Sequence, residues 1–355
     1  MKQNAPQGLH SSRKKDRRQS AMKKIRWGIV GPGWVANRFA EGLKYTDDGV
    51  LEAVVSKSSP EKVQEFARVH NIPKAYGNYE EFLADEDIDI VYVSILNSDH
   101  KKMVLDCFKA GKPVLCEKPF AINAKETQEM IEAAKKADLF LMEAMWSRFL
   151  PVMKTVRQWL KEGRIGKVKY LRADHGFLFE DHSTRQFDRK AGGGAMMDLG
   201  VYALAFASMV LGYEPCTINS VAAIGDTQVD EQSVITLLYP GSEIAILSCT
   251  MLAETPQEAW IVGDEGFIRI KKAFMNADTV TLEMESKLTD DPTIVEEINI
   301  TIDGPGYRYE AEEAMRCLQQ GKKESDIMPL KETLGIMNIM DTVRKQWGLT
   351  YPGEK

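Results

Sequence analysis

The apolar positions of this chain follow two rhythms. From Ile25 to Met142, short apolar runs alternate with segments whose apolar residues recur at helical spacing. Ile25 to Val30, Val50 to Val55, Ile88 to Ile95, Pro113 to Cys116 and Leu139 to Met142 read as buried strands. Between them, Trp34, Val35, Phe39 and Leu43 share one helical face, and Glu61 to His70 turns Val63, Phe66 and Ala67 inward. Tyr79 to Leu83, Lys101 to Ala110 (capped by Gly111) and Ala124 to Ala137 complete the helices. Strands alternating with helices predict a doubly wound parallel sheet, a Rossmann domain over 24–148.

After Arg148 the rhythm changes. Pro151 to Glu162 predicts a helix, Val168 to Phe179 a strand, and Gly192 to Leu211 a glycine-led helix. From Thr217 to Thr301, alternating segments are separated by turn signals such as Tyr239-Pro-Gly-Ser242 and Gly263-Asp-Glu-Gly266. Two helices, near Tyr309 to Gln320 and Leu330 to Trp347, close the chain. Residues 149–355 therefore predict an α+β domain with an open, largely antiparallel sheet.

Composition narrows the function classes. A length of 355 residues suits two domains, and a net charge of -6 gives no general pull toward nucleic acid or anionic membrane. The apolar stretch from Val201 to Leu211 is too short to span a bilayer and reads as a buried helix. Cys107, Cys116, Cys216, Cys249 and Cys317 are odd in number and widely spaced, which predicts reduced thiols and a cytoplasmic protein. Five scattered histidines show no zinc spacing, so no metal site is expected. Residues 1–23 are polar and basic without an apolar core, which predicts a disordered arm; a nucleic-acid tail, a presequence or a start at Met22 are the other readings.

The first strand runs into Gly31-Pro32-Gly33-Trp34-Val35-Ala36, the G-x-G-x-x-A form of the dinucleotide fingerprint. Gly31 permits the tight turn, Gly33 admits a pyrophosphate close to the backbone, and Ala36 lets the helix pack against the strand. At the end of the second strand stand Ser56, Lys57 and Ser58, where an NAD enzyme usually carries a carboxylate. Hydroxyls and a cation suit a 2′-phosphate, so NADP is expected, with NAD the alternative. A fourth strand ends in Cys116-Glu117-Lys118-Pro119, where ligands sit in such sheets. Asp198 and Tyr202 are four apart on the glycine-led helix. A tyrosine near a cationic lysine is expected to have its pKa lowered and to serve as proton donor and acceptor for an alcohol/ketone pair. The competing reading is a core tyrosine whose hydroxyl Asp198 satisfies.

With GPGWVA, CEKP, Glu143-Ala-Met-Trp-Ser-Arg-Phe149, GGGAMMDLGVY, Arg308-Tyr-Glu-Ala-Glu312 and Leu349-Thr-Tyr-Pro352, the chain resembles the Gfo/Idh/MocA oxidoreductases. It is most similar to the branch of dimeric dihydrodiol dehydrogenases and NADP-dependent D-xylose dehydrogenases. The resemblance implies that Lys118 hydrogen-bonds the reacting oxygen, that Tyr202 is the general acid/base, and that Asp198 binds a substrate hydroxyl or orients the pair. Trp146, Arg148 and Phe149 would line the mouth near the nicotinamide. Ser94 to His100 occupies the family's T-P-N-x-x-H turn, with Leu96 in place of proline, and brings Leu96, Asn97 and His100 toward the cofactor. His100 also reads as a helix-entry residue bonded to backbone. Glu117 joins the cofactor contacts. A sugar, cyclic polyol or trans-diol substrate and a homodimer or dimer of dimers follow from the same resemblance. The alternative function is a non-catalytic NADP-binding regulator or sensor on the same fold, against which Lys118 and Tyr202 argue together. The acidic total argues against a nucleic-acid partner.

Overall fold

The computed structural model describes residues 24–57, 59–284 and 293–354. The basic arm and Ser58 lie outside them. The first domain is built from β1 (Ile25–Val30), α1 (Trp34–Leu43), β2 (Gly49–Val55), α2 (Pro60–His70), β3 (Lys74–Tyr76), α3 (Tyr79–Ala84), β4 (Ile90–Val93), α4 (His100–Lys109), β5 (Val114–Glu117), α5 (Ala124–Ala137) and β6 (Leu141–Ala144). Its six strands are parallel and ordered β3-β2-β1-β4-β5-β6. The order reverses between β1 and β4, and the crevice beyond their C-terminal ends is where such sheets bind ligands.

The second domain contains α6 (Pro151–Lys161), β7 (Val168–Gly176), α7 (Val201–Leu211), β8 (Thr217–Ile224), β9 (Asp230–Leu238), β10 (Ile244–Thr250), β11 (Ala259–Gly263), β12 (Phe267–Ile270), β13 (Thr279–Met284), β14 (Thr293–Asn299), α8 (Arg308–Gln319) and α9 (Leu330–Trp347). Its eight strands are ordered β14-β13-β12-β11-β7-β10-β9-β8, antiparallel except for β7 beside β10. Alternation along the strands explains the layering. Ile235, Leu237, Ala245, Leu247, Ile261 and Ile268 are buried against the helices, while Val221, Val234, Leu238, Ile244 and Ile246 face outward and exposed. The apolar segment Arg189–Leu211 is long enough to cross a membrane, but 83% of its apolar window is buried inside the fold. There α7 packs between the sheet and α9.

Two expectations are corrected, and one strand was not expected. The strand read from Ile88 to Ile95 spans only Ile90–Val93, because Ile88 lies in a turn whose carbonyl accepts from Lys112 and Ser94 folds back toward Val30. The short edge strand β3 carries too few residues to show a period. The segment from Gly192 is not one helix. Gly192 and Gly194 have φ of 78° and 124°, a π-helical turn spans Met196–Gly200, and α7 begins only at Val201.

Candidate active site

The turn after β1 is shaped by its backbone. Gly31 has φ 93°, its N–H donates to Val55 O at 3.0 Å, and a Cβ there would lie 2.6 Å from Ser94 O. Gly33 caps α1 with no side-chain bond, and the first turn of that helix carries no acidic residue. The first amides of α1 therefore keep their positive end for a bound anion. Ala36 is fully buried where the helix meets the sheet.

This turn borders a cavity of about 1260 Å³. Gly31, Pro32, Gly33, Trp34 and Val35 form its floor, and the Trp34 indole is 72% exposed. Ser56, Lys57, Ser59 and Lys62 form the wall beyond β2. Ile95, Leu96 and Asn97 line the opposite wall, and Glu117, Lys118, Arg185 and Gln186 close the far end. Buried Asn97 donates to Gly192 O at 3.0 Å and so ties this wall to the second domain.

At the far end, side chains from both domains converge. Lys118 leaves the end of β5 through a cis bond to Pro119. Its Nζ donates to Asp198 O at 2.9 Å, lies 3.5 Å from Asp198 Oδ1, and sits 4.7 Å from the centre of the Tyr202 ring. Asp198 also accepts from Arg185 at 3.0 Å and from Gln186 at 3.4 Å. Burial pushes the Asp198 carboxyl up, but Lys118 and Arg185 outweigh it and hold the pKa at about 2. For Lys118, burial favours the neutral amine, yet the oxygens of Tyr202 and Asp198 hold its pKa above the ordinary lysine value.

Tyr202 departs from expectation. Its pKa is raised, not lowered, because burial of the phenolate outweighs the neighbouring ammonium. Asp198 does not satisfy its hydroxyl. Instead Trp146 Nε1 donates to it at 2.9 Å, and the Trp146 indole stacks on Tyr307 with ring centres 4.9 Å apart. Trp146 thus meets the site through Tyr202 and does not border the cavity.

Besides Trp146, two more residues expected at the cofactor lie elsewhere. Arg148 turns into the second domain, where it pairs with Glu332 and donates to Ala205 O at 3.1 Å. The short helical turn Trp146–Phe149 aims it away from the cavity and buries Phe149 in the core. His100 is fully buried at the start of α4, its ring nitrogens 3.1 Å from Pro119 O and 3.2 Å from Ile95 O. Burial lowers its pKa to about 4, so it pins the backbone behind the site as a neutral ring.

Sequence reading missed Arg185, Gln186 and Lys62. Lys62 was legible as a cation in the first turn of α2, on the same cavity wall as Lys57. Arg185 and Gln186 come from a single 3-10 turn, Arg185–Phe187, with no spacing signature, and only the fold carries them to Asp198. Among the described residues, no group of three or more His, Cys, Asp or Glu is placed to hold a metal.

Comparisons with known proteins agree with this architecture. Residues 25–145 match the model of the Gfo/Idh/MocA oxidoreductase family, NAD-binding Rossmann fold, and residues 153–269 match a Gfo/Idh/MocA C-terminal domain. The chain is 39% identical to a trans-1,2-dihydrobenzene-1,2-diol dehydrogenase of Xenopus tropicalis, covering 92% of this chain and 99% of the relative. The Homo sapiens protein of that name is 35% identical, covering 93% and 99%. Among solved structures, an aldose-aldose oxidoreductase from Caulobacter crescentus, complexed with glycerol, superposes with a TM-score of 0.80 at 26% identity, covering 92% of this chain and 98% of that one.

Proposed function

The chain belongs to the Gfo/Idh/MocA oxidoreductase family, and from that premise we propose that it is an NADP(H)-dependent dehydrogenase of a sugar, cyclic polyol or trans-diol. The observation that carries this reading is the meeting of Lys118, which lines the cavity that begins at the glycine turn, with the Tyr202 ring 4.7 Å from its Nζ. The uncapped, acid-free start of α1 fits a pyrophosphate. Lys57 and Lys62, with Ser56 and Ser59 beside them, suit a 2′-phosphate on the same wall.

When bound, the nicotinamide accepts or supplies the hydride. The protein's own part is to position and to manage the proton. Lys118 donates a hydrogen bond to the reacting oxygen and stabilises the negative charge that develops there. Tyr202 gives that oxygen its proton during reduction and takes it during oxidation. Trp146 fixes the phenol by donating to its oxygen. Asp198 anchors Lys118 and, through Arg185, orders the loop facing the substrate.

The outward apolar residues Val221, Val234, Ile244 and Ile246 support a homodimer formed through the open sheet face. Four of the five thiols are buried and all are unpaired, which suits a reducing cytoplasm. The test is reduction of NADP+ and NAD+ with pentoses, hexoses, inositols and trans-dihydrodiols. Turnover with at least one class and preference for NADP+ are expected. Tight NADPH binding without turnover of any class would replace the enzyme by a cofactor sensor. Lys62→Ala with Lys57→Ala should raise KM for NADP+ by roughly tenfold and leave that for NAD+ unchanged.

A further inference from the structure

We propose that residues 349–354, gripped by Arg344, form a clasp that fixes Lys118 and Asp198 relative to each other, with Tyr351 as its positioning residue. The role in turnover rests on the dehydrogenase reading above; the clasp itself does not.

The two runs that carry these groups need outside support. Residues 118–123 lie between the end of β5 and the start of α5. Residues 192–195 lie before the π-helical turn that holds Asp198, with Gly192 and Gly194 at positive φ. Glycine makes that turn possible but brings no side chain to lock it. Neither run belongs to a sheet, so partners elsewhere must fix its backbone.

One short segment grips both runs. Tyr351 is buried, and its hydroxyl donates to Gly193 O at 2.5 Å. Burial pushes its pKa up, so it stays a neutral phenol with that proton to give. In the first domain, Asn123 donates to Glu354 Oε1 at 2.8 Å, and Arg344 donates to Ile122 O at 3.2 Å. The segment is itself fastened. Arg344 donates to both Glu354 oxygens, at 2.8 and 2.9 Å, and its guanidinium lies 4.8 Å from the centre of the Tyr351 ring. Glu354 also accepts from Tyr351 N at 2.7 Å, and Arg189 donates to Thr350 O at 2.6 Å.

The grip on Gly193 reaches the site by two short paths. Gly193 presses on the neighbouring loop: a Cβ there would lie 2.4 Å from Gln186 O, which accepts from Gly194 N at 2.7 Å. That loop brings Arg185 and Gln186 to the Asp198 carboxylate. Forward along the chain, Gly194 O accepts from Asp198 N at 3.0 Å, and Asp198 O accepts from Lys118 Nζ. Tyr351 does not border the cavity, so it acts only through the turn. Without its hydroxyl a buried carbonyl loses a donor, which costs free energy that a shift of the turn relieves. Such a shift draws the Asp198 oxygens away from the Lys118 ammonium.

Acylation of Lys118 by a trace of acetic anhydride at pH 8 reads this spacing without turnover. The full chain is labelled and followed by peptide mass spectrometry, with exposed Lys272 as internal reference. Tyr351→Phe should raise the labelling of Lys118 by roughly fivefold, since the neutral amine fraction grows about tenfold for each pH unit that its pKa falls. Under conditions where circular dichroism shows both proteins folded, the same variant should lower kcat by roughly tenfold. KM for NADP+ should stay within about twofold, because the turn after β1 is untouched. Glu354→Ala frees Asn123 and the Tyr351 N–H, and gives the same readout if Tyr351→Phe does not fold. Unchanged Lys118 labelling in a folded variant overturns the clasp, as does a change in unfolding midpoint alone. Raised labelling with kcat unmoved overturns its role in turnover. A wild type inactive on every substrate class counts against the dehydrogenase reading and leaves the clasp to be judged by labelling.

Discussion

The two ends of the cavity are made of different material. At the β1 turn the walls are backbone: Gly31 at positive φ, Gly33 with an open approach, and a helix start with no cap. At the Lys118 end the walls are side chains from both domains, backed by a chain of contacts: Lys118 held by Asp198, Asp198 by Arg185, and beside them Tyr202 by Trp146 and Trp146 by Tyr307. A backbone site tolerates exposure, since amides and a helix end attract an anion even beside solvent. A proton-transfer site needs burial, which makes each hydrogen bond count and each pKa depend on its neighbours.

Removing a reacting group should separate the two ends most widely. Lys118→Ala or Tyr202→Phe is expected to cut turnover by ~100-fold or more. NADPH affinity, read by fluorescence titration, should stay within about twofold. Equal loss of affinity and turnover would show that the ends are not independent.

Arg148→Met tests whether a buried charge near the junction belongs to the fold or to the chemistry. Arg148 is 5% exposed and leaves Glu332 unpaired when removed. Denaturant unfolding should show a loss of about 3–5 kcal/mol, with KM for both substrates unchanged in the folded fraction. A selective rise in the cofactor KM would return Arg148 to the site.

Gly31→Ala attacks the opposite end. The added Cβ meets Ser94 O in a backbone conformation that L residues rarely adopt. NADPH affinity should fall by roughly tenfold through the displaced helix start, with substrate KM at saturating NADPH unaltered. The mildest change is Trp146→Phe, which keeps the stack on Tyr307 and removes one donor from the Tyr202 oxygen. Loss of that bond should lower kcat by roughly fivefold, in line with about 1 kcal/mol for a hydrogen bond. An unchanged kcat would free Tyr202 from Trp146.

Legibility differed in the same way. The β1 turn could be read because a strand, two glycines, a small residue and a helix lie within a dozen positions, and each answers a local backbone demand. Lys118 and Tyr202 could be singled out because each sits in a distinctive local segment. Arg185 and Gln186 could not, since nothing in their immediate sequence marks them and only the fold brings them to Asp198. Arg148 was misread because its segment lies near the site while its side chain turns away from the cavity, toward Ala205 and Glu332.

Order of elements, the parallel sheet, the open second sheet and the glycine turn after β1 followed from the amino-acid sequence alone, because hydrophobic period and glycine geometry act over a few residues. Which side chains meet, and in which direction their pKa values shift, was decided only in three dimensions. Tyr202 shows why. Its lysine neighbour was foreseeable from the motifs, but burial decides the direction of its pKa, and burial is set by how two domains close over a ring.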